Sequence, residues 1–229
     1  MKKAVAKNWQ KILTLLGLGL LIPSLVFNLF WLKRDQKSLY LVREVIDGDT
    51  FVTEDYSVVR FLGIGAPELG LCGGEEAKKH LEDLILGKRV SLEVLRRDSG
   101  GRQLGYVYLN NKMANQQLLK SGWYFYNGAE SFYGEQLKPA YYQAKDAKLG
   151  IYSTKCTQTE NLDNPQCQIK GNVSRSSSNL GDKSYHFPGC NRYEDVLVEL
   201  HRGDRWFCSE KEAQKAGFVK SKNCFGKKY

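Results

Sequence analysis

The sequence shows no internal repeat, little net charge beyond residue 38, and no small-x-small cleavage site after its one long apolar run. The first absence leaves out stacked-repeat architectures. The second removes net charge as an argument for a polyanionic partner: residues 1–38 hold seven of the 34 lysines and arginines but one of the 25 acids, so the formal +9 of the chain leaves 27 basic against 24 acidic groups in the rest. The local exception is residues 215–229, with five lysines and no acid, a pattern that usually marks a solvated face. The third absence tells against a cleaved signal peptide. The apolar run, residues 12–32, is long enough at about 1.5 Å per residue to cross a hydrocarbon core of about 30 Å, so residues 1–38 read as an uncleaved membrane anchor with a short linker.

What is present is a foldable body. Apolar residues make up 42% and aromatic residues 12% of the 229, enough to bury a core. The six cysteines, an even set behind an export segment, read as disulfides and put the body outside the cytoplasm.

Along the chain, residues 39–46, 51–53 and 58–64 carry strand patterns, the first two joined by the Asp47-Gly48 turn. Ala77, Leu81, Leu84 and Ile85 recur at helical spacing before Gly87, predicting a helix over 75–86. Strands follow at 89–95 and 104–109, then helices at 113–120 and 136–148. Five short strands with inserted helices predict an α+β body, a five-stranded OB-fold β-barrel with three helices over residues 39–154. Residues 155–184, polar and serine-rich, read as a linker. Residues 185–229 read as a small Cys-rich α+β domain, with a capping box at Ser209-Glu210-Lys211-Glu212 that predicts a short helix.

Three polar features lie near the early strands. Asp47-Gly48-Asp49 is explained as a hairpin turn, but that leaves Asp49 idle, and acidic oxygens at a turn also suit a hard cation. Arg60 opens an apolar strand and Glu68 follows Ala66-Pro67; an isolated pair of this kind is usually a surface ion pair worth little. Arg102 follows the glycine loop at 98–101. Together they supply a carboxylate to activate water and guanidinium groups that match phosphate oxygens, the parts that phosphodiester hydrolysis needs.

The segments VIDGDTF, VRFLGIGAPE, EEAKKHLEDLILGKRVSLE, RDSGGRQLGYVYL and LLKSGWYFY, in this order, resemble the staphylococcal-nuclease-like (thermonuclease) family over about residues 39–154. The resemblance implies an OB-fold and calcium-assisted hydrolysis of DNA or RNA. It implies a catalytic set of Arg60, Glu68 and Arg102, and a calcium ion held by Asp49 and the Ala66 backbone carbonyl, with Asp47 in the outer shell. One position departs. Gly65 stands where the family commonly has a second metal carboxylate, which should weaken the calcium site. Tyr124, Phe125, Tyr126 and Tyr133 offer stacking surfaces for bases, though aromatics so spaced are more often core.

Beyond the barrel, YHFPGC and a late cysteine resemble a zinc-binding module of alkylation-damage repair proteins. Zinc would draw on Cys167, His186, Cys190, Cys208 and Cys224, but disulfides among these cysteines are the favoured reading, with Cys72 and Cys156 a further candidate pair. The leading reading is a membrane-anchored, extracytoplasmic nuclease, with DNA or RNA and a membrane as partners and nothing pointing to an oligomer. The alternative is a catalytically silent OB-fold that binds nucleic acid or a protein.

Overall fold

The computed structural model describes residues 38–128, 132–174 and 181–229, together with Ser24. The expected membrane anchor lies outside the described residues; no helix among the described residues is long and apolar enough to cross a membrane. Residues 39–229 form one compact unit with two hydrophobic cores.

The first core is built by β1 (Leu39–Val45), β2 (Thr50–Thr53), β3 (Val58–Phe61), β4 (Ile64–Gly65), α1 (Gly74–Ile85), β5 (Arg89–Arg97), β6 (Gln103–Leu109), β7 (Lys112–Met113), α2 (Ala114–Lys120), β8 (Phe125–Tyr126) and α3 (Gly134–Asp146). The sheet order is β3-β2-β1-β5-β6-β7, and β3 also pairs in parallel with β6, so pairing through five strands returns to its start. Alternate residues Phe51, Val59 and Phe61 point inward and are fully or almost fully buried. The helix α1 closes one side with Ala77, Leu81 and Ile85, at the spacing read from the sequence, and Glu75 and Glu76 in its first turn complement its dipole.

The strand expected over 58–64 is two strands. Gly63 has φ +78°, and buried Asn115 pins the bend, its Nδ2 donating to the Leu62 carbonyl (2.9 Å) while its Oδ1 accepts from Val107 N (3.0 Å). The break re-aims Ile64 and Gly65 onto β8, with Gly65 opposite Phe125.

The second core gathers Ile169, Tyr185, Phe187, Phe207, Ala213 and Phe218. Its sheet, in the order β13-β10-β11-β14, comprises β10 (Ile169–Val173), β11 (Lys183–His186), β13 (Arg205–Phe207) and β14 (Val219–Lys220); β9 (Thr157–Gln158) pairs separately with β12 (Val198–Glu199). Residues 155–184 therefore supply strands rather than a linker alone. The polar composition misleads because Lys170 is buried and Asn172 is half-buried, both bonded to later residues: Lys170 Nζ donates to the carbonyls of Val196 (2.8 Å) and Tyr193 (3.2 Å), and Asn172 Nδ2 donates to Asp204 Oδ2 (3.0 Å). The short helix α4 (Glu210–Lys215) begins as its capping box implies, with Glu212 N donating to Ser209 Oγ.

The six cysteines form the pairs Cys72–Cys156, Cys167–Cys208 and Cys190–Cys224. The zinc reading is thereby corrected: Cys167, Cys190, Cys208 and Cys224 spend their sulfurs on each other and offer no thiolate, and His186 is left buried without zinc partners. The first disulfide ties the loop after β4 to the start of the C-terminal segment.

Candidate active site

The Asp47–Asp49 turn is held from below. Asp47 Oδ1 accepts from Asp49 N (3.0 Å), an Asx turn, and Ile46 N donates to the Thr50 carbonyl (2.9 Å). Residue 48 must be glycine: a Cβ there would stand 2.4 Å from Ala66 Cβ and 2.8 Å from Ala77 Cβ. This close approach presses the turn onto α1 and onto the residue after β4.

Asp49 is consequently buried, 2% exposed, and both its carboxylate oxygens carry protein donors. Oδ1 accepts from Thr50 Oγ1 (2.9 Å), while Oδ2 accepts from Ala66 N (3.1 Å) and pairs with Arg60 Nη2 (2.8 Å). Burial pushes the Asp49 carboxyl up to about 6 from an ordinary 3.8; Arg60 pulls it down and Asp47 pushes it further up, without overturning the effect of burial.

Arg60 is set by strand register. Thr50 and Leu104 lie opposite it on β2 and β6, and Val59 pairs with Gln103. Because side chains alternate, Arg60 faces away from the core that receives Val59 and Phe61, and Arg102 stands in the loop just before β6, next to Gln103, the partner of Val59. Arg102 Nε is paired with Asp98 Oδ2 (2.7 Å), and Asp98 Oδ1 accepts from the backbone N–H groups of Gly100 (3.0 Å) and Arg102 (2.9 Å), which shapes the loop that presents it. Bonding to Arg102 holds the Asp98 carboxyl below the usual carboxylate range.

Glu68 is exposed on the loop beyond Pro67. Its carbonyl accepts from Leu71 N (3.0 Å), and Gly74 is required beneath it, since a Cβ there would come within 2.3 Å of that oxygen. The disulfide at Cys72 anchors the same loop.

Of the residues singled out in the sequence, Asp47, Asp49, Arg60 and Ala66 are brought together by direct contacts, Arg102 is held by Asp98 in the loop before β6, and Glu68 stands in the loop after β4. Thr50, Asp98 and Arg202 were not legible as site residues, and Phe125, read as a stacking surface, instead lies over Gly65. Thr50 bonds both Asp49 and Arg60 (3.5 Å), and the first two could have been found from strand alternation and from the i, i+4 spacing to Arg102. The expected stacking surfaces are largely spent: Tyr124 is buried and donates to the Ala77 carbonyl (2.7 Å), and Tyr133 Oη bonds the Glu93 carboxylate (3.1 Å).

A calcium ion, implied by the resemblance, does not fit these residues as they stand. Both Asp49 oxygens carry protein donors, and Gly65 has no carboxylate. The direction a side chain at 65 would take is filled by Phe125, whose Cε2 and Cζ would lie 2.6 and 2.7 Å from its Cβ. Among the described residues there is no group of three or more His, Cys, Asp or Glu side chains arranged to hold a metal ion.

Residues 58–154 match the family model described as staphylococcal nuclease homologue. A probable staphylococcal-like nuclease, CAN2, from Oryza sativa subsp. japonica is 42% identical over 69 residues, covering 29% of this chain and 19% of that protein. The SPbeta prophage-derived endonuclease YokF of Bacillus subtilis (strain 168) is 37% identical over 124 residues, 47% of this chain and 42% of the relative. The thermonuclease of Staphylococcus intermedius is 37% identical over 98 residues, 36% and 56% respectively. The chain thus spans only about a fifth to just over a half of the length of these curated relatives, and the family match ends before the C-terminal segment. Residues 58–154 are thus similar to the staphylococcal nuclease homologues, and the family match does not extend to the rest of the chain.

Proposed function

We propose that this protein is an endonuclease that hydrolyses phosphodiester bonds of DNA or RNA at a site that includes Arg60 and Arg102. The observation that supports the reading is the pairing of β3 with β2 and β6, with Arg60 opposite Leu104 and Val59 opposite Gln103, the residue after Arg102. The closed ring of strand pairings supports an OB-fold barrel as the scaffold.

In this reading Arg60 and Arg102 donate to the phosphate's non-bridging oxygens, neutralising charge as it builds. Asp49 and Thr50 orient Arg60; Asp98 orients Arg102. Glu68, exposed and without a competing cation among its described contacts, accepts a proton from water as the water oxygen forms its bond to phosphorus. The bond from phosphorus to the leaving sugar oxygen breaks, and that oxygen takes up a proton, so one water is consumed and no covalent enzyme intermediate forms. No step is derived through a metal ion.

The three disulfides support a body folded in an oxidising compartment, and the apolar run at 12–32 supports attachment to a membrane facing that compartment. The domain reading becomes a barrel over 39–154 followed by a disulfide-stapled unit. Incubating the full chain in detergent with covalently closed plasmid and with single-stranded RNA tests the function. Nicking or degradation that Arg60→Ala removes is expected; binding without cleavage would favour the silent OB-fold.

A further inference from the structure

Gly65 and Phe125 are cross-strand partners on β4 and β8, so their side-chain directions share one face of that ladder. The ring lies over the glycine, and any Cβ at 65 meets its far edge at 2.6–2.7 Å. A phenylalanine alone could swing away. This one is backed by the C-terminal segment: the Arg202 guanidinium carbon lies 4.9 Å from the Phe125 ring centroid, within the range of a cation–π contact.

Arg202 is itself well placed to stay. Its Nε donates to His201 Nε2 (3.2 Å) and lies 3.7 Å from Glu199 Oε1. His201 is 1% exposed and its ring packs against Tyr152. The strand bearing Glu199 pairs with Thr157, and Leu200 N donates to the carbonyl of Cys156 (2.8 Å), the cysteine bonded to Cys72 on the Glu68 loop. The perch of Arg202 is thus fixed to the loop beside which it acts.

We propose that this site has no resident divalent cation, and that Arg202 of the C-terminal segment closes the second ligand position by holding Phe125 over Gly65. The inference concerns the same site as the nuclease reading and rests on that reading only for the chelator arm of its test. Both Asp49 oxygens already carry protein donors and one is paired with Arg60, position 65 is filled by a ring, and a fixed guanidinium adds positive charge on the ring's side. Affinity for hard cations follows the number and charge of oxygen ligands, and here both are reduced. Arg202 is a positioning residue: it touches Phe125 and acts through it.

The test uses the full, oxidised chain in detergent, titrated calorimetrically with calcium, magnesium and manganese, and followed by luminescence with terbium. No saturable binding is expected up to about 10 mM calcium, above the range of weak extracellular calcium modules, and no rise in Tm. Plasmid cleavage is expected to be unchanged by a chelator. Saturable binding that Asp49→Asn abolishes would overturn the proposal, as would cleavage lost to chelator and restored by a divalent ion. If the chain cleaves nothing under any condition, the nuclease reading fails while the binding result still decides this inference.

Three variants test the closure. Gly65→Asp alone should gain no calcium binding, whereas Gly65→Asp combined with Phe125→Ala should gain at least tenfold. Equal gain by Gly65→Asp alone, or a gain on Arg202→Ala combined with Gly65→Asp no greater than without it, would contradict the roles of Phe125 and Arg202 respectively. If these variants fail to fold, the wild-type titration stands as the decisive arm.

Discussion

The Arg60 guanidinium sits 2.8 Å from a carboxylate that water scarcely reaches: the Asp49 side chain is 3% exposed and that of Arg60 29%. A buried carboxylate with one charged partner is both an anchor and a liability, because losing Arg60 would leave the carboxylate buried and unpaired. That pairing fixes the direction of Arg60 on the outer face of β3.

Removing Arg60 should have two separable effects. Arg60→Ala should lower cleavage by about 10²–10³-fold, the scale for losing one donor to a charged transition state, and Arg60→Lys should not restore it, since an ammonium cannot reproduce the fork. The Asp49 carboxyl, no longer pulled down by its partner, should titrate above its present value of about 6. Carboxylate NMR against pH reads that shift; an unmoved titration would show that the pair does not govern Asp49.

Asp49 also makes stability depend on pH with a defined sign. Its folded pKa of about 6 lies above the ordinary 3.8, so the folded state holds the proton more tightly than the unfolded chain. The stabilisation is full below about pH 4, is lost as pH rises towards 6, and is flat above; the gap corresponds to roughly 3 kcal/mol. Asp49→Asn removes the buried charge, so it should raise Tm relative to wild type at pH 7.5 and leave it unchanged at pH 4, even as it lowers cleavage by freeing Arg60. Thermal melts at the two pH values check this.

The Cys72–Cys156 bond should matter for both stability and turnover. It closes a sequence separation of 84 residues, for which chain entropy gives a loss of about 4.6 kcal/mol on removal. Because Cys72 anchors the Glu68 loop, Cys72→Ser combined with Cys156→Ser should also lower kcat more than it changes KM. Denaturant melts and steady-state kinetics on the double variant separate the two effects.

Asp98 offers a contrast. Its ion pair with Arg102 is partly exposed, the Arg102 side chain at 41% and that of Asp98 at 19%, so Asp98→Asn should cost little stability. Cleavage should fall several-fold all the same, because Arg102 loses the partner that orients it. Equal activity in the variant would show that Arg102 needs no such support.

Much of this was legible in the sequence where local chemistry decides. The period of α1, the Asp47-Gly48 turn and the Ser209 cap follow from residue type and spacing, and they appear as expected. Arg60 and Arg102 stood out as arginines at the edges of an apolar strand and a glycine loop. What was not legible depends on partners distant in the chain. The break after β3 is pinned by Asn115, some fifty residues on. The strand at 169–173 is held by bonds from Lys170 and Asn172 to residues more than twenty further along, so its composition reads as linker. Gly65 showed a missing carboxylate, but its sequence neighbours could not reveal that Phe125 fills the space with Arg202 behind it.

The most direct test of the central claim is the rate of plasmid nicking by the full chain with Glu68→Gln, alongside its thermal melt. The side chain of Glu68 is exposed and no hydrogen bond or ion pair to it is seen among the described contacts, so the substitution should leave Tm within about 1 °C while turnover falls by about 10²–10⁴-fold, the range for a general base. Nicking at the wild-type rate, with the fold intact, would contradict the assignment of this face as a phosphodiester-hydrolysing site.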